Sequence, residues 1–376
     1  MGDVFLSIRG RVLINVEALN MTESVGNYVK HRRVPVILPK EEYTTFFVPA
    51  ISGEALAHGY QTVLAQEAEK KGLPVCKLCS QGIFLKSTNE EVFIKSFKHK
   101  IFPEKKESED DIIAFLGISK EYWNNMVKIR DKMKKKKKTS KEEKEVLAEF
   151  EQKILPHTIE KKIIESCVVE DIGGFLYAER TFRTFEMGGV RRTSNFYTGY
   201  MIPVKESLEA VVIEPQLHSR YALGTPFVRA ETRGQMIYYV ELSSAPYTFA
   251  FDFDSSYVGK TTFVYEHAGD VAVEDRAKRI NVALDALRKF ILEFMFGAKK
   301  TRFLPVVEWE SMVIAVSDDV WTVPSPFTVK YVENAKRKLE KISYNTKLHI
   351  YTKDSEKTLE EVVIEAINDA KERIEK

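Results

Sequence analysis

The chain has 376 residues, with 57 Lys and Arg against 55 Asp and Glu and only three cysteines. That length suffices for a sizeable core in one large domain or two ordinary ones, a formal charge of +2 excludes a globally basic field, and three cysteines exclude a disulfide framework. No apolar run reaches the ~18 residues of a membrane span and Met-Gly-Asp-Val lacks the regions of a signal peptide, so no membrane contact and a cytoplasmic location are expected. A charged fraction of 30%, dominated by Lys and Glu, fits a heat-adapted source in which ion-pair networks cost less.

Over residues 4–16 the even positions Val4, Leu6, Ile8, Val12, Ile14 and Val16 are apolar, while Ser7, Arg9, Arg11 and Asn15 fall on odd ones. This alternation predicts a strand with one face in a core. Residues 21–39 carry few strand or helix signals and read as a long loop holding Asn27, Lys30, His31, Arg32 and Arg33. After a short apolar stretch at 46–51, Ser52 is placed to cap a helix with the core stripe Leu56, Tyr60, Val63 and Leu64, ending before Gly72. The opposite face of that helix carries Glu54, His58 and Gln61.

Residues 103–152 shift to Lys and Glu around the run at 134–138 and read as a solvated helical insertion. A Gly- and Arg-rich passage at 171–200 follows, then strand chemistry at 200–213 and 235–253. A helix is expected from Val273, with Ile280, Leu284, Leu287, Ile291, Phe294 and Met295 on one face and Gly297 as its stop. Two more strands are expected at 303–307 and 311–316, and an amphipathic tail at 332–376 reads as a helix pair around a short strand at 347–351. Without the insertions the order is βαββαβ. That predicts an α+β fold with a ferredoxin-like, RRM-like palm, four antiparallel strands with two helices on one face. The expected division is a discontinuous palm (1–102 and 200–330), a helical insertion (103–165), a Gly- and Arg-rich thumb-like segment (166–199) and peripheral C-terminal helices (331–376).

Several constellations suit a polyanion. Lys30, Arg32 and Arg33 can neutralise phosphates or simply decorate a solvated loop. Ser52 and Gly53 at a helix start offer free N–H groups and the positive end of a helix dipole. His58 and Gln61, three residues apart on one face, can add hydrogen bonds to a phosphate or ribose, or serve structure alone. Arg180, Arg183, Arg191 and Arg192 interleave with Phe182, Phe185, Phe196, Tyr197 and Gly188-Gly189. That mixture suits phosphate forks and base stacking, and it equally suits an edge strand with a charged face. Lys299, Lys300 and Arg302 follow Gly297 either as helix-dipole partners or as a basic loop.

Cys76 and Cys79 make half of a tetrahedral zinc site, but spacing does not say whether Cys167, His99 or His157 completes it. They are read as buried thiols, with no metal and no cofactor assigned. Gly259-Lys260-Thr261 fails as a phosphate loop because Asp254 stands where the first Gly belongs. Asp252 and Asp254 share a strand face and can in principle hold Mg²⁺, although Phe249, Phe251 and Phe253 on the other face explain them as the wet side of an amphipathic strand. No Gly-x-Ser-x-Gly, His-Glu-x-x-His or Gly-x-Gly-x-x-Gly motif occurs, so no catalytic set is assigned.

With these residues in view, the chain resembles the CRISPR-associated Cas-seven family in its archaeal type I-A branch, the Csa-two or DevR-like proteins. The ordered motifs SIRGRVLINVEALN, ESVGNYVKHRRVPVIL, VPAISGEALAHGYQ, VEDIGGFLYAERTFR and GAKKTRFLPV carry the resemblance over nearly the whole length. It implies a right-hand-like subunit with an RRM-type palm, a large helical insertion and a β-hairpin thumb. Many such copies form a helical filament along one CRISPR guide RNA, joined by other type I-A Cascade subunits into an antiviral surveillance complex. The sugar-phosphate chain is gripped without sequence reading and bases are presented to target DNA. The resemblance places RNA binding on Asn15, Asn27, Lys30, Arg32, Arg33, Ser52, His58, Gln61, Lys299, Lys300 and Arg302. Arg183, Arg191 and Arg192 would lie in or near the thumb, and Arg9 and Arg11 belong either to the same track or to a subunit contact. The alternatives are a Mg²⁺-dependent nucleotidyl or nuclease enzyme using Asp252 and Asp254, and an autoregulatory DNA-binding protein.

Overall fold

In the computed structural model, which describes residues 2–39, 42–86, 90–97, 108–221 and 235–375, the chain starts on strand β1 (Phe5–Glu17) in the middle of a sheet. Leu6, Ile8, Val12 and Ile14 are fully buried, as the alternation requires. The phase then breaks. Register shifts between Ile14 and Glu17, Val16 takes φ +57° and is exposed, and Glu17 is buried in its stead. The expectation that Val16 continues the core face is corrected by this bulge, which turns the next side chain inward.

Residues 21–39 are not a loop. They form β2 (Met21–Val25), β3 (Tyr28–His31) and β4 (Arg33–Pro39), and the last pairs with β5 (Tyr43–Pro49) in a separate hairpin. Helix α1 (Gly53–Lys70) follows, its N-terminus closed by the Ser52 hydroxyl, which accepts the Ala55 N–H at 3.3 Å. Its stripe of Leu56, Tyr60, Val63 and Leu64 is buried, as predicted.

Beyond α2 (Glu90–Ser96), the insertion is helical: α3 (Glu109–Leu116), α4 (Lys120–Lys134) and α5 (Lys141–Glu149), capped by Ser108, Ser119 and Ser140. A π-turn at Phe150–Ile154 leads into α6 (Leu155–Ser166), followed by α7 (Val168–Gly173). Short strands come next: β6 (Phe175–Tyr177), β7 (Thr181–Phe182), β8 (Phe185–Glu186), β9 (Val190–Arg192) and β10 (Phe196–Thr198). Then come β11 (Val212–Tyr221), β12 (Gln235–Asp254), α8 (Arg276–Leu292), β13 (Val306–Ser317), α9 (Tyr331–Lys341), β14 (Lys347–Thr352) and α10 (Leu359–Glu375). Most of the expected strand at 200–213 is irregular and includes a 3₁₀ turn at Lys205–Ser207. The two strands expected at 303–307 and 311–316 are one, β13, and Met295 is exposed while Phe296 fills the core. The C-terminal helix–strand–helix arrangement is observed.

The main sheet has the order β14-β13-β1-β12, and β12 carries β10 and β11 on its far edge. Tyr239 of β12 faces both Tyr28 of β3 and Leu217 of β11, so β3 continues the edge that β1 vacates, and it runs parallel to β12. The result is a mixed sheet in an α+β fold. Phe249, Phe251 and Phe253 bury one face of β12 in the same core as α1, α8 and α10. Tyr60 meets Phe196, Phe251 and Phe290 edge-on at 4.8, 5.0 and 6.1 Å, each pair worth roughly 0.5–1.5 kcal/mol beyond its burial. On the other face Trp321 and Tyr331 close a smaller cluster with Val313 and Ala315.

Residues 166–199 are packed inward. Phe182 and Phe185 are buried, with Phe185 against Trp123 of α4 and Phe150. Gly189 is small because a Cβ would meet the Tyr177 carbonyl oxygen at 2.8 Å, so neighbouring chain rather than a ligand explains it. Among the described residues no helix is long and apolar enough to cross a membrane.

Candidate nucleic-acid interface

The bulge that ends β1 builds the site. Glu17, turned inward, accepts a hydrogen bond from the Tyr247 hydroxyl at 2.9 Å and lies 2.5 Å from His31 Nε2. The other ring nitrogen of His31 faces the Arg32 carbonyl oxygen at 2.9 Å. Both imidazole nitrogens therefore point at acceptors, the arrangement of an imidazolium. Burial opposes that charge, but the Glu17 carboxylate outweighs it and holds the His31 pKa above its ordinary 6.5. The buried pair fixes the backbone of Arg32, whose carbonyl also accepts the Ala50 N–H at 3.0 Å.

Three segments remote in sequence then meet at Asn20. Its Oδ1 accepts from Arg32 Nε at 2.8 Å and from the Ser52 N–H at 3.0 Å, while the Arg32 N–H donates to the Asn20 carbonyl at 2.9 Å. Arg32 also reaches the Tyr200 hydroxyl at 3.4 Å and lies over that ring, 6.0 Å from its centroid. These partners are neutral, so the guanidinium keeps its full charge while being oriented. Arg33 differs, because it donates to Glu241 Oε1 at 2.8 Å and is neutralised. Glu241 also accepts the His31 N–H at 2.8 Å and the Tyr28 hydroxyl at 3.1 Å.

The 297–302 loop is pinned beside this point. Ala298 N–H donates to the Leu19 carbonyl at 2.8 Å, and Gly297 has φ +87° with Leu19 where a Cβ would go, at 2.6 Å. Lys299 and Arg302 are carried there, with Arg302 exposed. Lys300 turns back, donating to the Phe294 carbonyl at 2.5 Å, and burial lowers its pKa.

The structure also places the remaining sequence-derived residues. His58 is exposed on α1, edge-on to Phe84 at 5.2 Å. Ser52 is buried and its hydroxyl is committed to the helix cap, so it positions the helix start. Gln61 is not on an open face: it is 3% exposed, against Gly173. Asn15 is half-buried near the end of β1, while Asn27 and Lys30 are exposed around the β2–β3 turn, Asn27 donating to the Ile237 carbonyl at 3.0 Å. Arg183 lies over the Phe182 ring at 5.8 Å. Arg191 is exposed at a cavity of about 400 Å³ lined also by Thr193, Asn195, Tyr197 and Asp254.

Arg192 is a structural residue, contrary to expectation. It is buried and bonds Asp171 at 2.6 Å and Glu160 at 3.3 Å, and Arg279 reaches the same Asp171 at 3.1 Å. Arg9 and Arg11 are likewise internal. Arg9 grips Asp252 in a fork at 2.7 and 2.9 Å, and buried Arg11 bonds Glu206 and the Pro326 carbonyl. Asp252 is thus committed to a cation of the fold, and Asp254 accepts the Ser256 N–H at 2.9 Å. His99 lies outside the described residues, and His157 stacks on His267 with Asp270 near by rather than meeting the cysteines. Sequence reading missed Asn20, Tyr200 and Glu241. Asn20 follows the opening alternation and is the one of the three with a local signal, a polar amide where strand phase stops.

A profile of the family described as CRISPR-associated negative auto-regulator DevR/Csa2 matches residues 8–117 and 118–336. The chain is similar to CRISPR-associated protein Cas7/Csa2 1 of Saccharolobus solfataricus, 30% identical over 326 residues that cover 86% of this chain and 82% of that one. CRISPR-associated aCascade subunit Cas7/Csa2 2 of the same organism is 34% identical over 315 residues, covering 82% and 78%. Among solved structures, a chain of a CRISPR RNA-guided surveillance complex, pre-nicking, aligns over 97% of this chain and 99% of that one, at 9% identity and TM-score 0.42. Matched by the profile and by two relatives over most of its length, the chain belongs to the DevR/Csa2 family of CRISPR-associated proteins, that of Cas7/Csa2.

Proposed function

We propose that this protein is a non-catalytic guide-RNA-binding scaffold, copies of which polymerise as the backbone of a cytoplasmic type I-A surveillance complex with other Cascade subunits. The observation that carries the reading is Arg32, an oriented guanidinium with neutral partners, standing between the capped start of α1 and the pinned Lys299–Arg302 loop. Such a track suits a sugar-phosphate chain gripped without sequence reading, leaving bases for target DNA. His58, Asn15, Asn27 and Lys30 extend it on this reading, and Arg183 and Arg191 belong to a more distant contact. In this view β13-β1-β12-β11 with α1 and α8 is the RRM-like palm, since the spatial order 4-1-3-2 of its strands is that of a split βαβ unit. The long β11–β12 ribbon competes with residues 166–199 for the role of thumb, because the latter pack inward.

The test is binding of two unrelated RNAs of equal length by the full chain and by Arg32→Glu and Lys299→Glu variants over a salt series. Both RNAs should weaken alike, with filaments on RNA seen by electron microscopy. Loss of one RNA with retention of the other would defeat the backbone-grip reading. The matched family's description as a negative auto-regulator supports a second reading, duplex DNA binding through the same track, which a competition between duplex DNA and RNA at physiological salt separates. The Mg²⁺ enzyme reading loses its first ligand to the Arg9–Asp252 fork.

A further inference from the structure

Three sulfurs and a carboxylate meet where the chain leaves α1 and where α6 passes into α7. Cys76 and Cys79 lie in the turn after α1, Cys167 is the residue between α6 and α7, and Glu170 is in the first turn of α7. The three cysteines are buried and free, and their Sγ atoms all lie within 4.8 Å of one another. Thiolates around zinc at ~2.3 Å in a tetrahedron stand roughly 3.8 Å apart, so this spacing needs only small side-chain rotations to enclose the ion.

Glu170 is the second, independent observation. It has no solvent exposure, and its Oε1 accepts from Cys79 Sγ at 2.8 Å and from the Leu85 N–H at 3.0 Å. Its Oε2 is buried without a hydrogen-bond partner. Buried carboxylate oxygens are ordinarily satisfied by a donor or a cation, and this one belongs to a side chain that touches the cluster at Cys79. Its oxygens do not lie within 4.8 Å of all three sulfurs, so it must turn further inward than the thiols to reach a shared ion. The surroundings favour thiolates as well. The Cys79 N–H donates to Cys76 Sγ and the Cys76 N–H to Cys167 Sγ, both at 3.4 Å, contacts of the kind that orient metal-bound sulfur. The Lys86 ammonium is held close by, on the Gly173 and Gly174 carbonyls.

We propose that Cys76, Cys79, Cys167 and Glu170 bind one structural zinc ion. Three sulfurs and one oxygen make a closed, four-coordinate set, and the thiolates select zinc over the hard cations. Binding releases three thiol protons to solvent and leaves a net charge of −2 on the ligated ion, which Lys86 reduces to −1. The ion would tie the exit of α1 to the point where the helical insertion returns, beside the existing backbone bond from the Val168 N–H to the Pro74 carbonyl at 2.9 Å. It lies outside the Arg32 track and does not depend on RNA binding.

The full chain, purified under reducing conditions without chelator, should carry about one zinc per molecule by elemental mass spectrometry. Stripped protein titrated with Co²⁺ should develop the strong visible bands of tetrahedral cobalt thiolate, bleached by one equivalent of Zn²⁺. Glu170→Gln should weaken Zn²⁺ binding by about tenfold or more, and Cys167→Ser should remove the sulfur-to-cobalt charge-transfer band. Should these variants fail to fold, alkylation of the unaltered protein decides, since all three thiols should be protected with zinc and reactive after chelation and mild denaturation. No zinc together with a weak octahedral cobalt spectrum, or an intact mass showing a Cys76–Cys79 disulfide without metal, would overturn the proposal.

Discussion

Asn20 is the residue at which to test whether Arg32 is held in place by its neutral partners. Asn20→Ala removes the acceptor of two hydrogen bonds, one from the charged Arg32 Nε at 2.8 Å and one from the Ser52 N–H at 3.0 Å. A bond to a charged group is worth about 1.5–3 kcal/mol and an orphaned buried N–H costs ~1–3 kcal/mol, while water can replace the amide on the open side of Arg32. The net loss of stability should be about 1–3 kcal/mol, read by denaturant unfolding. Arg32 keeps its charge but loses one of its two holds, so RNA affinity should fall ~5–10-fold, close to 1.4 kcal/mol at most. Titrations of a labelled single-stranded RNA by anisotropy over a salt series separate positioning from neutralisation. Asn20→Ala should leave the slope of log K against log salt unchanged, whereas Arg32→Ala should reduce it by ~0.7 for each phosphate that the guanidinium no longer neutralises. Should Arg32→Ala leave the slope intact, or Asn20→Ala reduce it equally, the positioning role of Asn20 is refuted.

Further outcomes follow from the buried charges. Because the His31 pKa is raised in the folded chain, its contribution is fully present below 6.5 and is lost as pH rises through the folded value; chemical denaturation from pH 6 upward should show that decline, and His31→Gln should flatten it. Arg192→Ala leaves buried Asp171 with Arg279 as its ion partner and takes the guanidinium away from buried Glu160, and should cost about 3–5 kcal/mol of unfolding free energy, measured by guanidinium titration. Asp252→Asn weakens the fork to Arg9 and should cost ~1–3 kcal/mol while leaving RNA affinity unchanged; loss of a Mg²⁺-dependent turnover in this variant would instead restore the enzyme reading.

Sequence pattern reported what local periodicity controls. The buried stripes of α1 and α8 and the apolar face of β1 through Ile14 were legible because each repeats at the spacing of its own element. Residues 21–39 were not, since β2, β3 and β4 are short and broken by a Gly-Asn turn, and β3 is held by pairing with β12 far along the chain while β4 pairs with the adjacent β5. The Val16 bulge left no pattern, yet it sends Glu17 inward and so creates the pair with His31. Composition also misjudged Arg192, because a buried ion network looks in sequence like a surface patch until its acids, Glu160 and Asp171, are brought round. Within the candidate site, Arg32, Lys299 and Arg302 were visible as basic loop residues, while Asn20 and Tyr200, which orient Arg32, depend on a meeting of segments no spacing reveals.

The central position of β1 has a consequence for synthesis. Phe5 pairs with Asp254 on one side and Ser317 on the other, so β1 is made long before either of its partners. At ~5–20 residues per second, the roughly 300 residues between Phe5 and Ser317 take on the order of 15–60 s to emerge. Until β12 emerges, a long strand with both edges open and a face of Leu6, Ile8, Val12 and Ile14 can pair with a neighbouring nascent chain, and the edge that β13 will cover stays open to the end of the interval. Arg9 and Arg11 stand on it meanwhile as bare cations, since Asp252 and Glu206 are made later, and like charges repel the same strand of the next polypeptide. Replacing both with Thr should therefore raise aggregation of newly made chains in cell-free translation more than Asp252→Asn does, since the latter weakens the fork in the folded protein but leaves both cations on the strand.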